Sequence, residues 1–279
     1  MHTEDVIKLL NVTALVTLML SIGLRVRFDE VLRAARQVRA VSLGLLANFV
    51  AVPLITVGLL LLFQATSWVS TGFLILAVCP GAPVGPSFTG IAKGDVALAT
   101  GLMVILAGAS AVLAPALLSI LLFWLFPGGQ LFVDFVSIVR TLLVTQLVPL
   151  AVGLAIHHWA SRFGERAAKP LALLANVMLL SVVGLILATQ YPTLADIRLR
   201  GWFGMLLLLL ASLVIGWLCG GSARPVRSAL AVTTGLRNTA VGLVIVNANF
   251  AGTPAVTAVV AYALVTIFGT LLFSFLLAS

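Results

Sequence analysis

The sequence predicts an all-α polytopic membrane protein of about nine transmembrane helices, two of them broken. Three observations predict it. Of its 279 residues, 62% are hydrophobic and only 9% charged, more apolar side chain than a soluble core can absorb. Apolar runs of about 20 residues recur along the chain, each long enough for a bilayer core of roughly 30 Å. The basic residues fall mostly between those runs, in alternate loops. That placement fits membrane orientation, and it sets nucleic acid aside as the partner for the net charge of +8.

In chain order the spans fall at 6–25, 38–63, 68–92, 95–126, 131–157, 168–190, 201–220, 226–250 and 254–278. The first follows MHTEDVIK, which is mixed in charge and leads straight into a full-length span, so no cleavable signal peptide is expected. The second carries Asn48 in an otherwise apolar run. The third, TGFLILAVCPGAPVGPSFTGIAK, interleaves Pro80, Pro83 and Pro86 with Gly81 and Gly85. Proline removes a donor and clashes one turn back, and glycine permits unusual backbone angles, so no continuous helix survives there. The fourth span is long and uninterrupted. The fifth contains Arg140 and ends in His157-His158; Arg140 is expected to snorkel and the histidines to sit solvated at the interface. Trp124, Trp159 and Trp202 fall at span ends as interfacial anchors.

Eleven of the sixteen basic residues fall in alternate loops: Arg25, Arg27, Arg33, Arg36 and Arg39, then Lys93, then Arg162, Arg166 and Lys169, then Arg224 and Arg227. The opposite side has Lys8, Arg198 and Arg200. The positive-inside rule then puts the N-terminus outside and the C-terminus in the cytoplasm, with the plasma (inner) membrane as the expected location. The Arg198/Arg200 pair runs against this bias.

The eighth span holds the unusual stretch, TTGLRNTAVGLVIVNANF from Thr233 to Phe250. A cation at membrane depth costs about 3 kcal/mol on insertion scales and roughly 10 or more in simulations, so Arg237 must face a partner or a polar cavity. Gly235 before it and Asn238-Thr239 after it predict a helix ending near Gly235 and a second one capped by Asn or Thr. Spans 3 and 8 are thus both interrupted, and each is followed by one unbroken span. Residues 1–279 then form a single transporter domain, with spans 1–4 a first repeat lacking its first helix and spans 5–9 a second, inverted one. Paired interruptions of this kind point to a transport site at the bilayer midplane.

Four segments resemble the bile acid:sodium symporter family. CPGAPVGPSFTGIAKGDVALAT is similar to the family's PGGxxSNxxTxxAxGxxALS, and GLRNTAVGLVIVNANF to its EVGMQNSxLAxxLAxxHF. LLANFVAVP matches AQFxxMP, and GLAIHH matches GLxxH. The resemblance covers nearly the whole chain, as a nine-helix member. It implies a panel and a core domain, two broken helices crossing in the core, two sodium ions at that crossing, and an organic anion between the domains.

Carried over residue by residue, the resemblance gives a negative. The family's Ser-Asn pair falls on Gly85 and Pro86, and its Ser and Thr on the next helix fall on Ala99 and Met103. Its Glu-Val falls on Thr233 and Thr234, and its Met-Gln on Leu236 and Arg237. Asn238 keeps the family's Asn, Thr239 replaces its Ser, Asn48 replaces its Gln, and Thr89 is retained. Hard cations require several oxygens, usually with a carboxylate nearby. All eight acids (Glu4, Asp5, Asp29, Glu30, Asp95, Asp134, Glu165 and Asp196) fall at ends or loops. Arg237 is therefore expected either to replace sodium, bonding carbonyls and Asn48, Thr233 or Thr234, or to bind an anionic substrate directly. In the second case Ser87, Thr89, Asn238 and Thr239, at the starts of the second half-helices, complete the substrate site.

The sequence therefore predicts a secondary transporter of an organic anion, working by alternating access, with no cofactor and with usual sodium coupling doubtful. Its partners are that small anion and the bilayer; nothing in the spacing speaks to oligomeric state. The rivals are a sodium symporter with a backbone-built ion site, a metalloid exporter using Cys79, and a non-transporting sensor. No clustered nucleophile, base or metal set suggests an enzyme, and Cys79 and Cys219 lie in or beside apolar segments without metal-ligand spacing.

Overall fold

A computed structural model describes residues 3–127, 131 and 133–278. Among these the chain is all-α, in the order α1 (Thr3–Arg25), α2 (Phe28–Arg36), α3 (Val38–Leu46), α4 (Val52–Leu62), α5 (Ser67–Ala77), α6 (Gly85–Ile91), α7 (Val96–Leu125), α8 (Phe135–Leu142), α9 (Val148–Trp159), α10 (Ser161–Thr189), α11 (Tyr191–Ala195), α12 (Leu199–Cys219), α13 (Arg224–Gly235), α14 (Thr239–Asn249) and α15 (Pro254–Ala278). Eight helical segments are long and apolar enough to cross a membrane. A ninth crossing is assembled from α5 and α6, which are too short to span singly.

Two spans are continuous but carry a π turn: Ala47–Ala51 joins α3 to α4, and Leu143–Leu147 joins α8 to α9. Each π turn ends just before a Val-Pro pair, Val52-Pro53 and Val148-Pro149. Proline has no N–H and crowds the carbonyl one turn back, and one extra residue in the turn relieves both problems. Asn48 and Gln146 sit in these turns and are buried.

The structure revises two boundaries. The basic stretch after the first span is not all loop: α2 places Asp29 and Glu30 in its first turn and Arg33 and Arg36 in its last, which complements the helix dipole. The sixth span starts at Ser161 rather than 168, so Arg162, Arg166 and Lys169 lie on α10 itself. Good helix formers such as Ala, Arg, Glu and Lys extend the helix past its apolar part.

The helices pack in two groups. α1 lies along α9 and α10. Gly23 and Gly153 let α1 and α9 meet backbone to backbone, for a Cβ on Gly153 would lie 2.5 Å from the Leu20 carbonyl oxygen. In the other group α12 packs on α13, α15 on α5, and α6 and α13 on α7. The seam between the groups runs where α1 meets α14, α10 meets α15, and the second π turn meets α7. Every residue from Ser228 to Asn247 is buried, so the least apolar span lies at the centre.

Candidate functional site

The two interrupted spans meet at their breaks. α13 ends at Gly235 and α14 starts at Thr239, with Asn238 as N-cap, its Oδ1 accepting from Val241 N at 3.3 Å. Across the break, Asn238 N donates to the Cys79 carbonyl at 2.8 Å and Asn238 Nδ2 to the Gly81 carbonyl at 3.3 Å. Gly81 has φ +83°, and a Cβ there would lie 2.7 Å from Ala107 N of α7. A left-handed turn pressed against a helix backbone admits only glycine. The Pro-Gly-rich stretch thus brings α5 to an end exactly where α13 ends, one break on each side of the same contact.

Arg237 fills the space between the two half-helix ends. It is only 2% exposed. Its guanidinium donates to the Ala77 carbonyl at 3.3 Å and to the Thr234 carbonyl at 2.5 Å. Ala77 is the last residue of α5, and Thr234 lies in the last turn of α13. Both carbonyls belong to the group that a helix leaves unpaired at its C-terminus. Each such end carries about half a negative charge, so two ends together offset about one cation. None of the eight carboxylates is buried, and the one ion pair among the described residues, Arg27 to Asp29 at 3.7 Å, is on the surface. The helix ends are therefore the counter-charge. Arg237 Nε and the Tyr262 hydroxyl are both buried without a hydrogen-bond partner.

The expected residues divide clearly. Thr234, Asn238 and Asn48 belong to the crossing: Asn48 Nδ2 donates to Thr234 Oγ1 at 3.2 Å and to the Gly44 carbonyl at 2.9 Å. Asn48 thus supports Thr234 rather than bonding the guanidinium. Thr233 is adjacent but turns its hydroxyl back to the Ala229 carbonyl at 2.8 Å. Gly85 faces Thr233, with 3.8 Å from its built Cβ to Thr233 Cγ2, and Pro86 is half-buried at the start of α6. Thr89 is fully buried with its hydroxyl unpartnered, beside Gly94 and away from Arg237's bonds. Ser87 is exposed on α6, and Thr239 is buried, its N–H donating to the Arg237 carbonyl at 3.0 Å.

One expectation is corrected. His157 is not solvated: it is buried, with Nδ1 2.8 Å from the Leu24 carbonyl in the last turn of α1. Packing of α1 against α9 covers the ring, and only His158 stays exposed. Sequence reading also left the π turns unnoticed; their signal is a polar residue shortly before Val-Pro in an apolar span. Gln146 reaches from its π turn to the Ala107 carbonyl and to Ser110 Oγ at 3.1 Å, both on α7.

The donor set does not suit sodium in the way the family's motif would. The positions that should supply oxygens hold Gly85, Pro86, Ala99, Met103 and Arg237, and Asn48, which bonds Thr234, keeps its Oδ1 buried and unpartnered. A fixed guanidinium at the crossing repels a second cation there. At the seam between the helix groups, on the face that holds the N-terminus, lies a cavity of about 270 Å³. Glu4, Thr189, Gln190 and Asn247 supply its polar lining, and Asn247 Nδ2 is buried without a partner.

A family model described as the sodium bile acid symporter family matches residues 12–197, two thirds of the chain. The chain is 23% identical over 242 residues to a Bacillus subtilis (strain 168) protein named "Uncharacterized sodium-dependent transporter YocS", covering 86% of this chain and 74% of that one. It is 29% identical over 150 residues to the rice (Oryza sativa subsp. japonica) "Probable sodium/metabolite cotransporter BASS2, chloroplastic", covering 53% of this chain and 34% of the relative. A second rice protein, "Probable sodium/metabolite cotransporter BASS3, chloroplastic", is 24% identical over 273 residues, which is 94% of this chain and 62% of that protein.

Proposed function

Because the chain belongs to the sodium bile acid symporter family, whose members are membrane transporters and not enzymes, we propose that it carries a small organic anion by alternating access without the family's usual sodium coupling. One observation carries the reading: a guanidinium with no carboxylate partner bonds the C-terminal carbonyls of both first half-helices. Arginine stays protonated at any working pH and offers five donors in a fixed fork, which suits a permanent replacement for an ion.

Of the two roles for Arg237, the structural one is better supported. The guanidinium is buried and committed to backbone carbonyls, and two early N–H groups of α14, those of Thr239 and Val241, already have partners. A substrate anion would then feel the crossing through its field, at the seam where α1 meets α14, rather than through a direct bond. In this proposal α1, α8, α9 and α10 form the panel, the remaining spans form the core, and the two broken spans mark inverted repeats. The membrane is the plasma (inner) membrane, with the N-terminus outside.

The second reading is a sodium symporter whose ion sits on backbone and amide oxygens. The relatives' names favour it, and so does the spare Asn48 Oδ1. Flux of labelled small organic anions into proteoliposomes, with sodium replaced by potassium, tests the proposal. Uptake that persists in potassium supports it. Binding without any flux makes the protein a sensor, and uptake only in sodium makes it a symporter.

A further inference from the structure

The N-terminal face holds a second cavity, of about 380 Å³, away from the crossing. It lies between the turn after α4, the start of α12 and the start of α15. Phe63, Phe73 and Met205 give it an apolar floor, and a smaller cavity that includes Gly204 continues it along Phe63. Arg198 and Arg200 line it on one side, with Asp196 as the one carboxylate. Neither guanidinium forms an ion pair or a hydrogen bond among the described residues, although Asp196 lines the same cavity.

The placement of these arginines is unfavourable by itself. Arg198 is the N-cap of α12 and Arg200 its second residue, so two cations sit at the positive end of a 21-residue helix and beside each other. They are also two of the three span-end cations on a face otherwise poor in basic residues, Lys8 being the third. An apolar hollow of this volume with a few polar groups at one edge has the form of a small-molecule site. A negative head group would relieve the crowded positive charge while an aromatic or aliphatic body covers the floor.

We propose that this cavity is a peripheral binding site for an amphipathic organic anion, with Arg198 and Arg200 holding its carboxylate or sulfonate and Phe63, Phe73 and Met205 its apolar body. The Gln190–Thr257 hydrogen bond joins the linings of this cavity and the one at the seam, since Thr257 lines the first and Gln190 the second. The site does not depend on the transport reading, because it is tested by binding at equilibrium and not by flux.

The test is calorimetric titration of the full-length protein, in phosphatidylcholine nanodiscs, with naphthalene-2-sulfonate and with the neutral 2-naphthylmethanol. Saturable sulfonate binding is expected, weakened about tenfold or more in the Arg198→Gln/Arg200→Gln variant, as loss of charge-assisted bonds predicts. The neutral alcohol should bind both proteins equally. Gly204→Leu adds bulk to the smaller cavity that continues the site, where a Cβ lies 3.5 Å from Phe63 with no backbone clash, and should weaken binding of both probes. Sulfonate binding unchanged by either variant overturns the proposal. Displacement of the sulfonate by phosphatidylglycerol built into the nanodisc also overturns it, and assigns the cavity to a lipid head group.

Discussion

The Asn238 amide donates to the Cys79 carbonyl at 2.8 Å, so the break in one span is closed by the break in the other. Asn238 then uses its side chain twice more, as cap of α14 and as donor to Gly81. Asn238→Ala removes both side-chain bonds and leaves a buried carbonyl and an N–H without partners, a loss of about 2–3 kcal/mol. Asn238→Asp keeps the cap at Val241 N but faces the Gly81 carbonyl with an oxygen in place of a donor, so it should fall between wild type and Asn238→Ala. Thermal unfolding of the two purified variants checks the order.

Arg237 holds the ends of α5 and α13 together through the Ala77 and Thr234 carbonyls. Arg237→Met leaves two helix ends facing each other with like partial charge in a site closed to water. A loss of about 3 kcal/mol or more is expected, the scale of removing one partner from a buried charged contact. Arg237→Lys keeps the charge but loses the fork, and should fall between. Melting of both variants in detergent measures it.

Gly81 is held at φ +83° with Ala107 N directly behind it. Gly81→Ala combines a left-handed residue, about 1–2 kcal/mol, with a backbone contact that cannot yield, about 1–3 kcal/mol. The expected outcome is a poorly folded protein, read as loss of the monodisperse peak on size exclusion. Gly58→Ala, where a Cβ meets nothing within 4 Å, should behave as wild type.

Gln146 joins the second π turn to α7 across the proposed panel–core seam. Its Oε1 is buried without a partner, so Gln146→Leu loses bonds but also removes an unsatisfied group. Stability should change by about 1 kcal/mol or less, whereas anion flux in proteoliposomes should change several-fold if that seam moves in transport. Unchanged flux would assign Gln146 to packing alone.

Sequence made the crossing legible because its chemistry is conspicuous. An arginine followed by Asn-Thr in an apolar span, and three prolines with two glycines in another, cannot sit in unbroken lipid-facing helices. The helix end near Gly235 followed directly, and of the two candidate caps, Asn238 and Thr239, the structure uses Asn238. Other features were hidden for physical reasons. A π turn shifts the register by one residue without altering an apolar run, so Ala47–Ala51 and Leu143–Leu147 left no periodic trace. His157 looks like its neighbour His158 until the Leu24 carbonyl, far away in sequence, is placed against it. Asn48, one of three side chains offered for the guanidinium, bonds Thr234 instead, a contact between residues far apart in sequence.

The most direct test of the built-in cation is the thermal unfolding of the wild-type protein in sodium chloride and, at equal ionic strength, in potassium or choline chloride. With the ion's place taken by Arg237, the midpoint should be the same in all three salts across the sodium titration. A saturable rise specific to sodium, of the size that binding to the folded state produces, would mean that an ion still occupies the crossing and that the guanidinium has not replaced it.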